Sequence, residues 1–408
     1  MNQLVSVIIS FLSIPVLIKL KIKLSYTLLI SAGILGIISR LGFETLGQVV
    51  LSISINPSSR ATVLTVIMVS ILGGLMSHYK ILDRIVETLL LIIGNKKNIL
   101  MVIPGMIGVL IIPGGALLSA PFINNIGEEM NLPPSRRAAI NLVFRHIAMF
   151  ILPYSTSLLI VSASIPNINI FRLILLNLFF VISLIIVGYF FFLKDIPSDR
   201  PSSRKTIGEN LLKLLIYTSP IYASVIINFI TGLPFYITLI ASVFIVYFLS
   251  DKKDFLKVFI KSINWNTVLT VIAVLIMKET ILHMEDLLKI FNNMLNASNS
   301  MLSTIIVFWI SSFFFGYITG NQTAALAIIL PMISQLYITN NMLYIYTYFA
   351  FGSSFMGYFF SPIHLCQAFT LEHMGATTGE LYKEYRFYIP TLLLILFISA
   401  FVFNFIFA

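Results

Sequence analysis

Stretches of 16 to 26 residues almost free of charge recur along the whole chain. A helix needs about 20 such residues to cross a bilayer. The runs are too long for tilted barrel strands and lack in-out alternation, so the spanning elements are helices. The fold class expected is therefore all-α, a polytopic membrane protein. Crossings are expected at about ten places: 3–18, 25–40, 62–77, 138–164, 168–193, 209–229, 233–249, 264–282, 344–370 and 387–407. Only 10% of the 408 residues are charged, against about 25% in a soluble domain. One cysteine, Cys366, excludes an intrachain disulfide and a cysteine-based zinc or iron–sulfur cluster.

The net charge of +10 follows topology rather than nucleic-acid binding. The start has no basic n-region, and Lys19, Lys21 and Lys23 follow its apolar run, so it is read as a crossing and not a cleavable signal. With the N-terminus outside, threading the chain puts 20 of the 26 Lys and Arg on the cytoplasmic side and 5 outside, with Arg145 inside a span. The C-terminus then also lies outside. The setting expected is the cytoplasmic membrane, with lipid as a partner, no nucleic acid, and a homodimer as the candidate assembly.

The two halves resemble each other. TVLTVI stands at Thr62–Ile67 and again at Thr267–Ile272, and holding that offset over 62–90 gives 12 identities in 29, His78 with His283 among them. Pro15 pairs with Pro220 at the same offset, and small gaps pair Gly114 with Gly320, Pro121 with Pro331 and Pro153 with Pro362. A first repeat over 1–193, a linker over 194–208 and a second repeat over 209–408 result. Five crossings per repeat is an odd number, so the second enters the membrane inverted, as in many secondary transporters.

Each repeat holds one further apolar pair, 98–126 and 301–334, and the arms of the first, 98–112 and 116–126, are both shorter than a span. Both are read as re-entrant hairpins; two short spans joined outside is the alternative. The first tip is Pro113-Gly114-Gly115, where glycine allows a ligand close to the backbone. The second is Thr319-Gly320-Asn321-Gln322-Thr323, whose neutral oxygens suit Na⁺ (Asn321 and Thr323) or a ligand, or else cap a helix. Each pair is followed by a segment broken at a proline, 138–164 at Pro153 and 344–370 at Pro362. Ser155 and Thr156 in the first, Ser361 and His364 in the second, stand where a restarted half-helix would turn its positive end to an anion.

The strings IPGGALLSAP, VFRHIAMFILPYS, GYITGNQTA and FSPIHLCQAFT resemble the signature blocks of an uncharacterised integral membrane protein family of archaea and bacteria. That family is placed in the ion transporter superfamily, with the gluconate, citrate, C4-dicarboxylate and arsenite permeases. The resemblance covers nearly the whole chain. It implies an elevator-type transporter with two hairpins and two broken helices, and it implies no substrate. Neither tip carries the Ser-Asn-Thr triplet of the sodium–dicarboxylate branch.

Arg145 and His146 fall about 7 residues, or roughly 10 Å, into the fourth crossing. A charge there is costly and marks function unless the arginine stem snorkels to the headgroups. No Asp or Glu lies near either break, and no P-loop pattern is present. The function expected is a secondary transporter, not an enzyme, moving a small anion coupled to Na⁺ or H⁺ and using no cofactor. The alternatives are a membrane-embedded enzyme, with His146, His364 and His373 around a metal, or a channel or assembly factor.

Overall fold

The computed structural model describes residues 3–109, 116–165, 168–197, 207–297, 301–336 and 338–407, and among them every regular element is helical. The first half runs α1 (Gln3–Lys19), α2 (Leu24–Ile38), α3 (Phe43–Ile55), α4 (Pro57–His78), α5 (Ile81–Ile93), α6 (Lys96–Gly108), α7 (Ala116–Glu129), α8 (Pro134–Arg145), α9 (Ala148–Ile151), α10 (Thr156–Ser164) and α11 (Ile170–Gly188), the last extended by a wide turn over Tyr189–Leu193. The second half runs α12 (Ile207–Thr231), α13 (Phe235–Leu249), α14 (Phe255–Lys261), α15 (Trp265–Leu282), α16 (Glu285–Ala297), α17 (Met301–Thr319), α18 (Gln322–Ser334), α19 (Asn340–Phe360), α20 (Leu365–Met374) and α21 (Thr378–Phe407).

Local chemistry sets many of these boundaries. Side chains of Asn56, Asn95, Asn169, Asn264, Asn321 and Thr339 cap α4, α6, α11, α15, α18 and α19. Pro57 occupies the first position of α4, where a missing N–H costs nothing. Gly94 and Gly375 end α5 and α20 in the left-handed region, at φ 58° and 67°.

Seven helical segments are long and apolar enough to cross a membrane: Pro57–His78, Pro134–Ser164, Ile170–Leu193, Gly208–Thr231, Trp265–Leu282, Leu302–Thr319 and Thr378–Phe407. The expected crossings at 3–18, 25–40 and 233–249 are helices of 17, 15 and 15 residues, shorter than the seven. The arm 301–318, read as one side of a hairpin, belongs to the long set. The last crossing begins at Thr378, nine residues before its apolar run, because Glu380, Lys383, Glu384 and Arg386 continue one rod.

The halves interlock. α2 packs on α15 and α4 on α13; α3 packs on α15 and α14 on α4; α10 packs on α18 and α20 on α7. Within each half, glycine brings helix backbones together. A Cβ on Gly108 of α6 would overlap the carbonyl oxygen of Arg145 in α8, and one on Gly357 of α19 would overlap that of Phe313 in α17.

Polar contacts fix which helix ends share a face. The Tyr79 hydroxyl donates to Lys253 O at 2.7 Å, Arg84 to Leu249 O at 3.3 Å, and Lys97 Nζ to Lys194 O at 3.1 Å. Elsewhere Arg172 donates to Asn341 at 2.8 Å, Asn341 donates to Phe407 O at 2.6 Å, and Leu287 N donates to the Gln3 side chain at 2.9 Å.

Candidate functional site

The first break starts at Arg145, the last residue of α8. One turn, α9, intervenes before Ser155 restarts the helix as the N-cap of α10. The Ser155 hydroxyl accepts from Leu158 N at 3.4 Å and donates to Met149 O at 3.0 Å. Thr156 opens α10 and is half-buried. The next residue, Ser157, was not singled out by the sequence, yet its hydroxyl donates to Oε1 of Gln322 at 2.7 Å.

Gln322 opens α18, whose residues Gln322 to Ile333 are all buried. Its amide nitrogen donates to Phe351 O at 3.0 Å. Asn321 is occupied locally: its Oδ1 accepts from Ala324 N at 3.0 Å and from the Thr323 hydroxyl at 2.5 Å. These oxygens are engaged in capping, the other use that their position offered. Gly320 sits at φ 55°, and a Cβ there would stand 2.7 Å from Ile363 Cγ1, so the α17–α18 turn lies against the second break. The Ser361 hydroxyl reinforces this, donating to Tyr317 O at 2.6 Å. The first pair's counterpart, Gly114 and Gly115, lies outside the described residues.

The second break carries His364 as the N-cap of α20, and no side chain caps that helix. His364 is 1% exposed and neither ring nitrogen has a hydrogen-bond partner. Its ring lies 5.0 Å from that of His146 and 4.1 Å from that of Tyr358, centre to centre. His146 Nδ1 bonds Leu142 O at 2.6 Å, which makes Nδ1 the donor and Nε2 the acceptor of the Tyr358 hydroxyl at 3.3 Å. The two breaks thus meet through aromatic and imidazole rings, with Cys366, half-buried, at the edge of the group.

Arg145 is 7% exposed and forms no ion pair among the described residues. Its Nη1 has no hydrogen-bond partner. The groups facing it are the Cys366 thiol and the Tyr358 hydroxyl. The stem does not snorkel, because the whole residue is enclosed. His373, which a metal-centred reading would add, lies on α20 more than two turns beyond His364 and is exposed.

A second buried charge is part of an ion pair. Lys278 and Glu279, near the end of α15, pair at 2.6 Å with side chains 3% and 9% exposed. Lys278 Nζ also donates to Ala163 O at 3.1 Å, at the end of α10. The larger clefts lie elsewhere. One of about 580 Å³ is lined by Gly73, Gly74, His78, Lys257 and Lys261, and an apolar one of about 480 Å³ lies between α4, α13 and α14.

A protein family of unknown function, DUF401, matches residues 4–406, nearly the whole chain. The chain belongs to this family. No curated protein matches it. Of the four strings that carried the resemblance, three fall in this DUF401 chain on the two breaks and the α17–α18 turn; the described part of IPGGALLSAP opens α7.

Proposed function

We propose that this chain is a secondary transporter of a small anion, coupled to Na⁺ or H⁺, built as two inverted repeats in the cytoplasmic membrane with both termini outside. One observation carries the anion: Arg145, buried and without a counter-charge, faces the uncapped start of α20. An unpaired buried ion costs several kcal/mol even after relaxation. Its position at the end of α8 returns at most about 2 kcal/mol, and the N-terminal end of α20 opposes it. An anion between guanidinium and helix start would neutralise both, and a guanidinium holds carboxylates and oxyanions through two parallel hydrogen bonds.

The packing supports the inverted repeat. Matching α1–α8 with α12–α19, α10 with α20 and α11 with α21, and leaving the single turn α9 without a counterpart, turns three of the cross-half contacts into other observed contacts: α2–α15 into α13–α4, α3–α15 into α14–α4, α10–α18 into α20–α7. The helices that carry TVLTVI run in opposite senses. α15 starts beside the last turns of α4, where Asn264 N donates to the Ser70 hydroxyl at 3.2 Å. α15 then runs parallel to α2, from Ser25–Asn266 at 2.5 Å to Ser39–Met284 at 3.6 Å. Movement of the paired breaks and turns as one unit, elevator fashion, fits their mutual hydrogen bonds.

The test is a thermal-shift screen of carboxylates and inorganic oxyanions on purified protein in chelator-treated buffer, with and without Na⁺, followed by uptake into proteoliposomes. An anion should stabilise the protein and be transported, and Arg145→Gln should weaken its binding at least about tenfold, or ~1.4 kcal/mol. Preference for a neutral or cationic solute, unchanged in Arg145→Gln, would overturn the reading.

A further inference from the structure

His146, His364 and Cys366 each offer one donor atom, and the three donors lie within 4.8 Å of one another. We propose that they form a binding site for a soft monovalent metal ion of the Cu(I) class, joining the break of one half to the break of the other. His146 is already held as a metal ligand usually is. Its Nδ1–H is fixed on Leu142 O, which leaves Nε2 as the acceptor; the Tyr358 hydroxyl now donates to it at 3.3 Å, and a metal ion would replace that bond. His364 is fully enclosed with both nitrogens unpartnered, a cost that a coordinate bond would remove. Cys366 stands beside Arg145 and brings its sulfur to the group as the third donor.

Donors bound at about 2.0–2.3 Å around one ion stand roughly 3.5–3.8 Å apart. The group must therefore close by about 1 Å, within reach of side-chain rotation. Two imidazoles and a thiolate with no carboxylate select soft ions and exclude Na⁺, Mg²⁺ and Ca²⁺. Charge then decides between Cu(I) and Zn²⁺. Binding of M⁺ forms the S–M bond and releases the thiol proton to water, so the net charge of the group does not change. Zn²⁺ would add one unit beside an unpaired buried guanidinium, where charge–charge terms are large. No disulfide competes, because Cys366 is the single cysteine. The half-buried thiol supplies the entry path.

The site goes beyond the transporter reading and does not depend on it. The test is a titration of detergent-purified protein, carrying no histidine tag, with Cu(I) against a coloured Cu(I) chelator in anion-poor buffer. One equivalent should bind, and His364→Gln, His146→Gln and Cys366→Ser should each weaken it roughly 100-fold. Melting of the metal-free variants, measured in parallel, confirms that they are folded. Zn²⁺ should compete poorly. Equal affinity in wild type and both histidine variants would mean adventitious binding by a thiol alone, and would overturn the site. So would absence of binding, or tighter binding of Zn²⁺. Cu(I) binding without any anion response keeps the metal site and removes the anion reading; an anion response without Cu(I) binding does the reverse.

Discussion

The Ser157 hydroxyl donates to the Gln322 side chain at 2.7 Å, across 165 positions of sequence. That bond joins the restarted helix of the first half to the turn of the second half's apolar pair. Gln322 extends it to the backbone of α19 through Phe351 O, and Gly320 and Ser361 bring in the second break. The turn of the second pair thus touches both breaks, and the breaks meet each other through the rings of His146, Tyr358 and His364.

Gln322→Leu should destabilise the protein more than the loss of one hydrogen bond. It strands the buried Ser157 hydroxyl, at about 1–3 kcal/mol, and removes one of two side-chain donors from the Phe351 carbonyl, which keeps the Ser354 hydroxyl at 3.0 Å. Adding Ser157→Ala should recover part of the loss. Thermal unfolding in detergent reads both, and a Gln322→Leu protein that melts like wild type would show that this bond holds nothing together.

Gly108→Ala and Gly357→Ala should yield little folded protein. The added methyl in each would overlap a backbone carbonyl of the neighbouring helix, which cannot step aside as a side chain can. Gly33, also in a helix, has nothing within 4 Å of its Cβ position. Gly33→Ala should be neutral, or stabilising by about 0.5–1 kcal/mol. Size-exclusion yield of the three variants checks the contrast.

The long apolar helices and both breaks were legible because lipid imposes length and proline imposes interruption. The short helices α3, α5, α14 and α16 were not. Asp83, Arg84 and Glu87 in α5 interrupt any apolar run, and 13 residues fall below a span. The Asn56-Pro57 cap would have moved the start of α4 from 62 to 57. Cys366 entered only for what it excluded, since nothing in sequence links it to His146, 220 positions away. His373 was grouped with the other histidines by residue type, and helix geometry separates it. Ser157 lies two residues past the quoted string VFRHIAMFILPYS, and its partner is a tertiary contact that no local pattern encodes.

Glu279→Gln should be markedly worse than the double change Lys278→Met with Glu279→Leu. The single variant leaves the Lys278 ammonium buried with only Ala163 O, a loss of about 3–5 kcal/mol. Replacing both charges by apolar groups removes the unpaired ion. If the single variant is the more stable by melting, the pair is solvated in the membrane-embedded protein.

Sidedness can be read in a Cys366→Ser background. A cysteine at Asp251 should react with an impermeant thiol reagent only from the cytoplasm, and one at Asn340 only from outside. Both positions are exposed. Asp251 neighbours the Lys253 that meets Tyr79, and Asn340 neighbours the Asn341 that meets Arg172. Labelling of both from one side would break the inverted-repeat reading.

Arg145→Gln should make the anion-free protein more stable while abolishing its response to anions. A charge kept for a ligand is a liability until the ligand arrives, and function then trades against stability. Removing a buried charge in favour of neutral groups commonly gains about 1–4 kcal/mol. The amide can still hydrogen-bond the Tyr358 hydroxyl and needs no counter-ion. Arg145→Lys separates charge from shape. It should show no gain in stability and should bind the anion more weakly, because an ammonium lacks the planar fork that grips two oxygens. Melting of all three proteins, with and without the best anion from the screen, decides the matter. If Arg145→Gln melts well below wild type in the absence of any anion, the guanidinium is already satisfied by Cys366, Tyr358 and the end of α8, and its place in the membrane is structural.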